Sequence, residues 1–106
     1  MTKKYSQYRD FFEDKLSQKG IKTITIRTYL RDLEQFLDWL EKTGMEITQV
    51  TMQDAEKYLR YLQSPIHTLR PGKVGAYQIS TIVRKIKVAR DFYNVMNEVH
   101  YENKSI

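Results

Sequence analysis

An all-α bundle of four helices is the fold class this sequence predicts, and three observations predict it. Apolar residues recur at spacings of three and four in four separate stretches. No stretch alternates apolar and polar residues as a half-buried strand does. Only four glycines and two prolines interrupt 106 residues, so long uninterrupted helices are the economical explanation. A chain of this length makes one domain with one core, spanning residues 1–106.

The first helix is expected from about Tyr5 to Lys19, with Tyr5, Tyr8, Phe12 and Leu16 on one stripe and Phe11 beside it. Gly20 ends it, because glycine enters the left-handed conformation without steric cost. The second helix has the strongest pattern: Ile26, Tyr29, Leu30, Leu33, Phe36, Leu37 and Leu40 trace an apolar face. Its opposite side reads Arg27, Arg31, Asp32, Glu34, Gln35, Asp38, Glu41 and Lys42. Thr23 or Thr25 is expected to cap its start, and Gly44 to close it.

Thr51-Met52-Gln53-Asp54 resembles a capping box, so a third, short helix is expected to follow to about Leu62, burying Ala55, Tyr58, Leu59 and Leu62. Ser64-Pro65 breaks it. Residues from Ser64 to Tyr77 hold both prolines and two glycines without periodicity, and are expected to form a long loop. The fourth helix is expected from about Gln78 to Val99, burying Ile79, Ile82, Val83, Ile86, Ala89, Tyr93 and Met96, with Phe92 beside them. The tail from Tyr101 to Ile106 is expected to fray.

Charge is distributed unevenly. Residues 1–56 sum to −1, residues 57–90 hold eight Lys/Arg and no acid, and residues 91–106 sum to −2. Such a block either faces something anionic or serves as a solvated face that favours solubility. The absence of cysteine excludes disulfides, thiol chemistry and Cys-based zinc sites, and fits a reducing cytosol. No apolar run approaches a bilayer span, and the first residues lack a signal-peptide block, so no membrane role is expected and the cytoplasm is the expected compartment.

Catalysis, cofactors and metal binding find no support. His67 and His100 read as ordinary surface histidines without carboxylates at ligand spacing. No glycine-rich phosphate cradle or nucleophile elbow is present. Pairs such as Glu34/Asp38 and Asp54/Glu56 lie on faces expected to be exposed, where nothing raises a carboxyl pKa toward acid–base work.

Double-stranded DNA is the partner the pattern favours. On the fourth helix Ser80, Arg84 and Lys87 share a face, with Thr81 and Lys85 on its shoulder. Hydroxyls and cations so placed can reach phosphates and base edges while the apolar side stays in the bundle. Thr25, Arg27, Thr28 and Arg31 form a second such set at the start of the second helix. Arg27 and Arg31 can equally be members of surface pairs, Arg27 with Glu34 and Arg31 with Gln35 or Asp38.

These segments also resemble a known family. The run from Gly20 to Tyr29, then Asp32-Leu33 and Phe36-Leu37-Asp38-Trp39-Leu40, is similar to the start of the core-binding domain of tyrosine recombinases, the phage-type integrases and the Xer group. The likeness continues from Ile47 to Leu62 and again from Ser80 to Tyr93. It implies a SAM-like bundle of orthogonally packed helices that forms half of a clamp around duplex DNA during DNA integration or site-specific recombination. In the family a C-terminal catalytic domain supplies the cleavage chemistry, and other recombinase protomers assemble with it. The resemblance therefore implies a chain that holds a core site without cutting it, and it matches Tyr93 to a packed aromatic rather than to a nucleophile. The chain departs from the family in having Lys22-Thr23 for Ser-Pro, Asn103-Lys104 for Asn-Pro, and a longer loop between its last two helices. The alternatives are a stand-alone helical transcription regulator, which would dimerise on a palindrome, and a protein-interaction bundle with a basic face.

Overall fold

The computed structural model describes residues 6–46 and 52–104, with side chains placed for 6–46 and 53–95. The elements are α1 (Ser6–Gln18), α2 (Thr23–Lys42), α3 (Met52–Gln63), β1 (His67–Arg70), β2 (Lys73–Gly75) and α4 (Ile79–Lys104). Four helices and one small hairpin confirm the expected helical class. They also correct the expectation that no strand is present.

The ends of α1 and α2 are set by the same device. Gly20 and Gly44 take positive φ, at 77° and 72°. Gly20 N–H then reaches the Ser17 carbonyl at 3.0 Å and Ile21 N–H the Leu16 carbonyl at 3.3 Å, with Gly44–Glu41 and Met45–Leu40 repeating the pattern at 3.1 and 3.0 Å. These are Schellman motifs, which satisfy carbonyls the helix leaves unpaired. The start of α2 differs from expectation. Lys22, not a threonine, stands at the N-cap in extended conformation and makes no side-chain cap, so Thr23 is already helical. Thr51, the expected cap of α3, lies outside the described residues.

The core is built along α2. Ile26, Leu30, Leu33, Phe36, Leu37 and Leu40 are all buried, as their spacing predicts, and Trp39 joins them. Phe12 and Leu16 of α1, Tyr58 and Leu62 of α3, and Val88, Ala89, Phe92 and Val95 of α4 close around it. The aromatic contacts are mostly edge-on: Phe12–Phe92 at 5.9 Å and Phe36–Tyr58 at 4.8 Å between centroids, arrangements the ring quadrupole favours.

Two expected apolar faces are rotated. Ala55 and Leu59 of α3 face solvent, because the short helix docks along the narrow Tyr58–Leu62 edge. On α4, Ile79 and Val83 are 81% and 61% exposed. The buried line is instead Lys85, Val88, Phe92 and Val95 with Ala89, and Ile82, Ile86 and Tyr93 lie half-buried at its edge. The axis of this face sits about one residue, roughly 100°, from the one periodicity suggests. Val88, Phe92 and Val95 supply the apolar part of this line, and Lys85, a cation at a position the pattern treats as solvent-facing, joins it against a buried acid. Helix α4 also continues to Lys104, past the end expected at Val99; the Met96 side chain lies outside the described residues.

The segment expected to be an unstructured loop folds into the hairpin. His67 pairs with Gly75, Thr68 with Val74 and Arg70 with Lys73, leaving Leu69 as an extra residue that bulges β1. The two-residue connection is Pro71-Gly72. Gly72 has φ 80°, and proline followed by a positive-φ glycine is the sequence of a type II turn.

Tyr58 is 1% exposed, and its hydroxyl has no hydrogen-bond partner among the described residues. Burial pushes its pKa well above the usual phenol value, with smaller contributions from Tyr61, Asp32 and Tyr77. An unpaired buried hydroxyl costs stability. Tyr58→Phe is therefore expected to leave the domain at least as stable, with a gain of up to about 1 kcal/mol. Urea unfolding checks this, and a loss above about 1 kcal/mol would mean that the hydroxyl has a partner after all.

Candidate nucleic-acid interface

The interface is organised around Asp32, which is 2% exposed in the middle of α2. Its Oδ2 accepts from Arg84 Nε at 2.8 Å, and its Oδ1 from Arg84 Nη2 at 3.3 Å and Lys85 Nζ at 2.8 Å. Lys85 Nζ also donates to Gln35 Oε1 at 2.6 Å, and Gln35 Nε2 donates to the Tyr77 hydroxyl at 3.0 Å. One carboxylate thus joins α2 to the first half of α4 through two cations. A buried acid with two cations is arranged as such charges must be, paired and hydrogen-bonded. The hydrogen bond from Arg84 to Asp32 raises the guanidinium pKa further, against partial burial.

This geometry separates the expected contact residues. Lys85 is turned inward: its side chain is only 10% exposed and its ammonium lies between Asp32 and Gln35. The expectation that Lys85 stands on an outward shoulder is therefore corrected. The reason is a partner 53 positions away in sequence, where local spacing gives no hint. Arg84 is shared. One edge of its guanidinium holds Asp32, and its side chain remains 41% exposed. Lys87 and Ser80 are exposed, and Thr81 is half-buried. Arg90, one turn beyond Lys87, is exposed on the same helix.

On α2, Arg27 and Arg31 are exposed, and Thr25 and Thr28 are half-buried. Thr28 Oγ1 donates back to the Ile24 carbonyl at 3.3 Å, leaving the hydroxyl oxygen as an acceptor. The surface pairs considered for the two arginines do not form. Glu34 is taken by Arg9 of α1, whose Nε lies 2.7 Å from Glu34 Oε1, and Gln35 by Lys85 and Tyr77. Among the described residues, Arg27, Arg31, Lys87 and Arg90 make no ion pair. By contrast, Lys57 and Arg60 of α3 sit 3.8 and 3.9 Å from Asp54 and Glu56.

The hairpin borders the start of α4. An open cleft of about 420 Å³ lies between them, lined by Thr68 and Leu69 of β1, Ala76, Tyr77 and Gln78 of the connection, and Thr81, Arg84 and Lys85 of α4. His67, expected to be a surface histidine, is 5% exposed. Its ring stacks on Tyr77 at 4.1 Å and meets Tyr61 edge-on at 5.0 Å, and its Nε2 lies 2.9 Å from the Tyr61 carbonyl. The ammonium of Lys85 lies 4.9 Å from the centroid of the Tyr77 ring. Asp32, Gln35, His67 and Tyr77 are the organising residues that sequence reasoning missed. A signal existed for the first: Asp32 stands three residues after Tyr29 and four before Phe36, both assigned to the apolar face.

Among the described residues no group of acids and histidines could hold a metal ion. No helix there is long and apolar enough to cross a membrane.

Comparison with known proteins adds one decisive result. No curated protein and no solved structure gives a significant match. A family model, described as the phage integrase N-terminal SAM-like domain, matches residues 9–98. The matched span includes both cationic helix faces, the buried Asp32 and the whole hairpin. The chain belongs to the family of phage integrase N-terminal SAM-like domains.

Proposed function

We propose that this chain is the DNA-binding half of a tyrosine recombinase. It grips duplex core-site DNA during integration or site-specific recombination and cleaves nothing by itself. The observation that carries this reading is the set of exposed cations left without internal partners on two helices that one buried carboxylate ties together. Arg31 adjoins Asp32 in sequence, and Lys87 lies three residues after Arg84, so the Asp32–Arg84 bridge fixes the backbone beneath both. Arg27, Arg31, Arg84 and Lys87 would neutralise phosphates, and Thr25, Thr28, Ser80 and Thr81 would set register through hydroxyl contacts. Ile79 and Val83, exposed between the α4 polar groups, offer apolar contact to thymine methyls. In the full-length parent, the partners are a catalytic domain and other recombinase protomers. The cytoplasm is the compartment where that chemistry takes place.

The test is a salt titration. Arg31→Ala with Lys87→Ala removes two cations that hold nothing in the fold. Duplex affinity is expected to fall by a similar factor across sequences, and the slope of log affinity against log salt to fall by about 2. Unchanged affinity and slope would reject these faces as the contact surface.

A further inference from the structure

We propose that the hairpin is a second DNA-contacting element, an arm whose Arg70 and Lys73 hold backbone phosphates flanking those held by α4. This inference rests on the reading above and extends it to a segment in which no contact was assigned.

Three observations point to it. First, Arg70 and Lys73 are direct partners across the ladder on either side of Pro71-Gly72. Like charges placed directly opposite are unfavourable, and neither makes an ion pair among the described residues. The tip therefore presents two uncompensated cations side by side. Second, β1 and α4 line one cleft, to which Thr68 and Leu69 contribute from the hairpin and Thr81 and Arg84 from α4. Arg70 stands beyond Thr68 toward the tip of the hairpin, past the bulged Leu69. A duplex seated on α4 would then find the arm at its next line of phosphates. Third, the arm is held at its base: His67 is stacked on Tyr77 and bonded to Tyr61, and Tyr77 is bonded to Gln35. A cation pair on a fixed support is ordered before the DNA arrives, which lowers the entropic cost of contact.

The experiment uses the chain as it stands. Arg70→Ala with Lys73→Ala keeps the Pro71-Gly72 turn and removes only exposed side chains. A control pair, Lys19→Ala with Lys42→Ala, removes the same charge from exposed positions at the ends of α1 and α2. Duplex binding is measured over a salt series, together with hydroxyl-radical footprints. The hairpin variant is expected to lose about 2 from the salt slope and protection on one flank, while the protection given by α4 persists. Equal effects of the two double variants would overturn the inference, since only the overall field would then be involved. So would an unchanged slope and footprint in the hairpin variant. If Arg31→Ala/Lys87→Ala weakens binding where the hairpin variant does not, the arm is rejected and the functional reading survives. If neither pair changes binding, or the unaltered chain shows no salt-dependent affinity for duplex, both are rejected.

Discussion

Asp32→Ala is expected to cost about 3–5 kcal/mol, a large part of what a domain of this size has. The carboxylate is 2% exposed and neutralises Lys85, whose side chain is 10% exposed. Without it the ammonium keeps only neutral partners, the Gln35 carbonyl oxygen and the Tyr77 ring, and a buried charge without a counter-charge is among the most expensive defects a fold can contain. Arg84, at 41% exposure, can turn to solvent and contributes less. The asymmetry gives a sharper test than the single variant. Asp32→Ala combined with Lys85→Met removes both charges and keeps the aliphatic stem, so the double variant should be more stable than Asp32→Ala alone. Urea unfolding measures both. A loss below about 1 kcal/mol for Asp32→Ala would show that the cluster is not the bond between α2 and α4.

Phe92→Ala is expected to cost a similar amount, about 3–5 kcal/mol, for a different reason. The ring is fully buried and receives the edge contacts through which α1 docks, at 6.3 Å from Tyr8 and 5.9 Å from Phe12, while Tyr93 lies beside it at 5.7 Å. Truncation leaves a cavity that three neighbouring rings cannot fill without leaving their own positions. Hydrogen exchange should show the amides of α1 losing protection before those of α2, because α1 meets the core through Phe12 and Leu16. Uniform loss of protection in both helices would mean that α1 and α2 unfold as one unit.

What sequence could show divides along physical lines. The face of α2 was legible because six of its apolar residues keep one spacing over four turns and the helix buries all of them. The ends at Gly20 and Gly44 were legible because left-handed closure has a residue-level signature. The rotation of α4 was not. The buried line includes Lys85, which meets Asp32 across the bundle, a contact between positions 53 apart, and hydrophobic periodicity counts lysine as solvent-facing. The hairpin escaped for another reason: strands of four and three residues with mostly exposed side chains show no alternation. Its turn was nonetheless written in Pro71-Gly72. At the candidate interface, the exposure of Arg27, Arg31 and Lys87 follows from helix spacing alone, whereas the inward turn of Lys85 and the shared role of Arg84 need the fold.

The ring of His67 has a mechanical meaning. It lies flat on Tyr77 and edge-on to Tyr61, which stacks with Tyr58, and Tyr58 meets Phe36 on the central helix. This aromatic ladder packs the base of the β-ribbon against the body. Any swing of the ribbon must first pull a histidine out of a nearly dry slot, so the core, through that ring, sets where the ribbon stands.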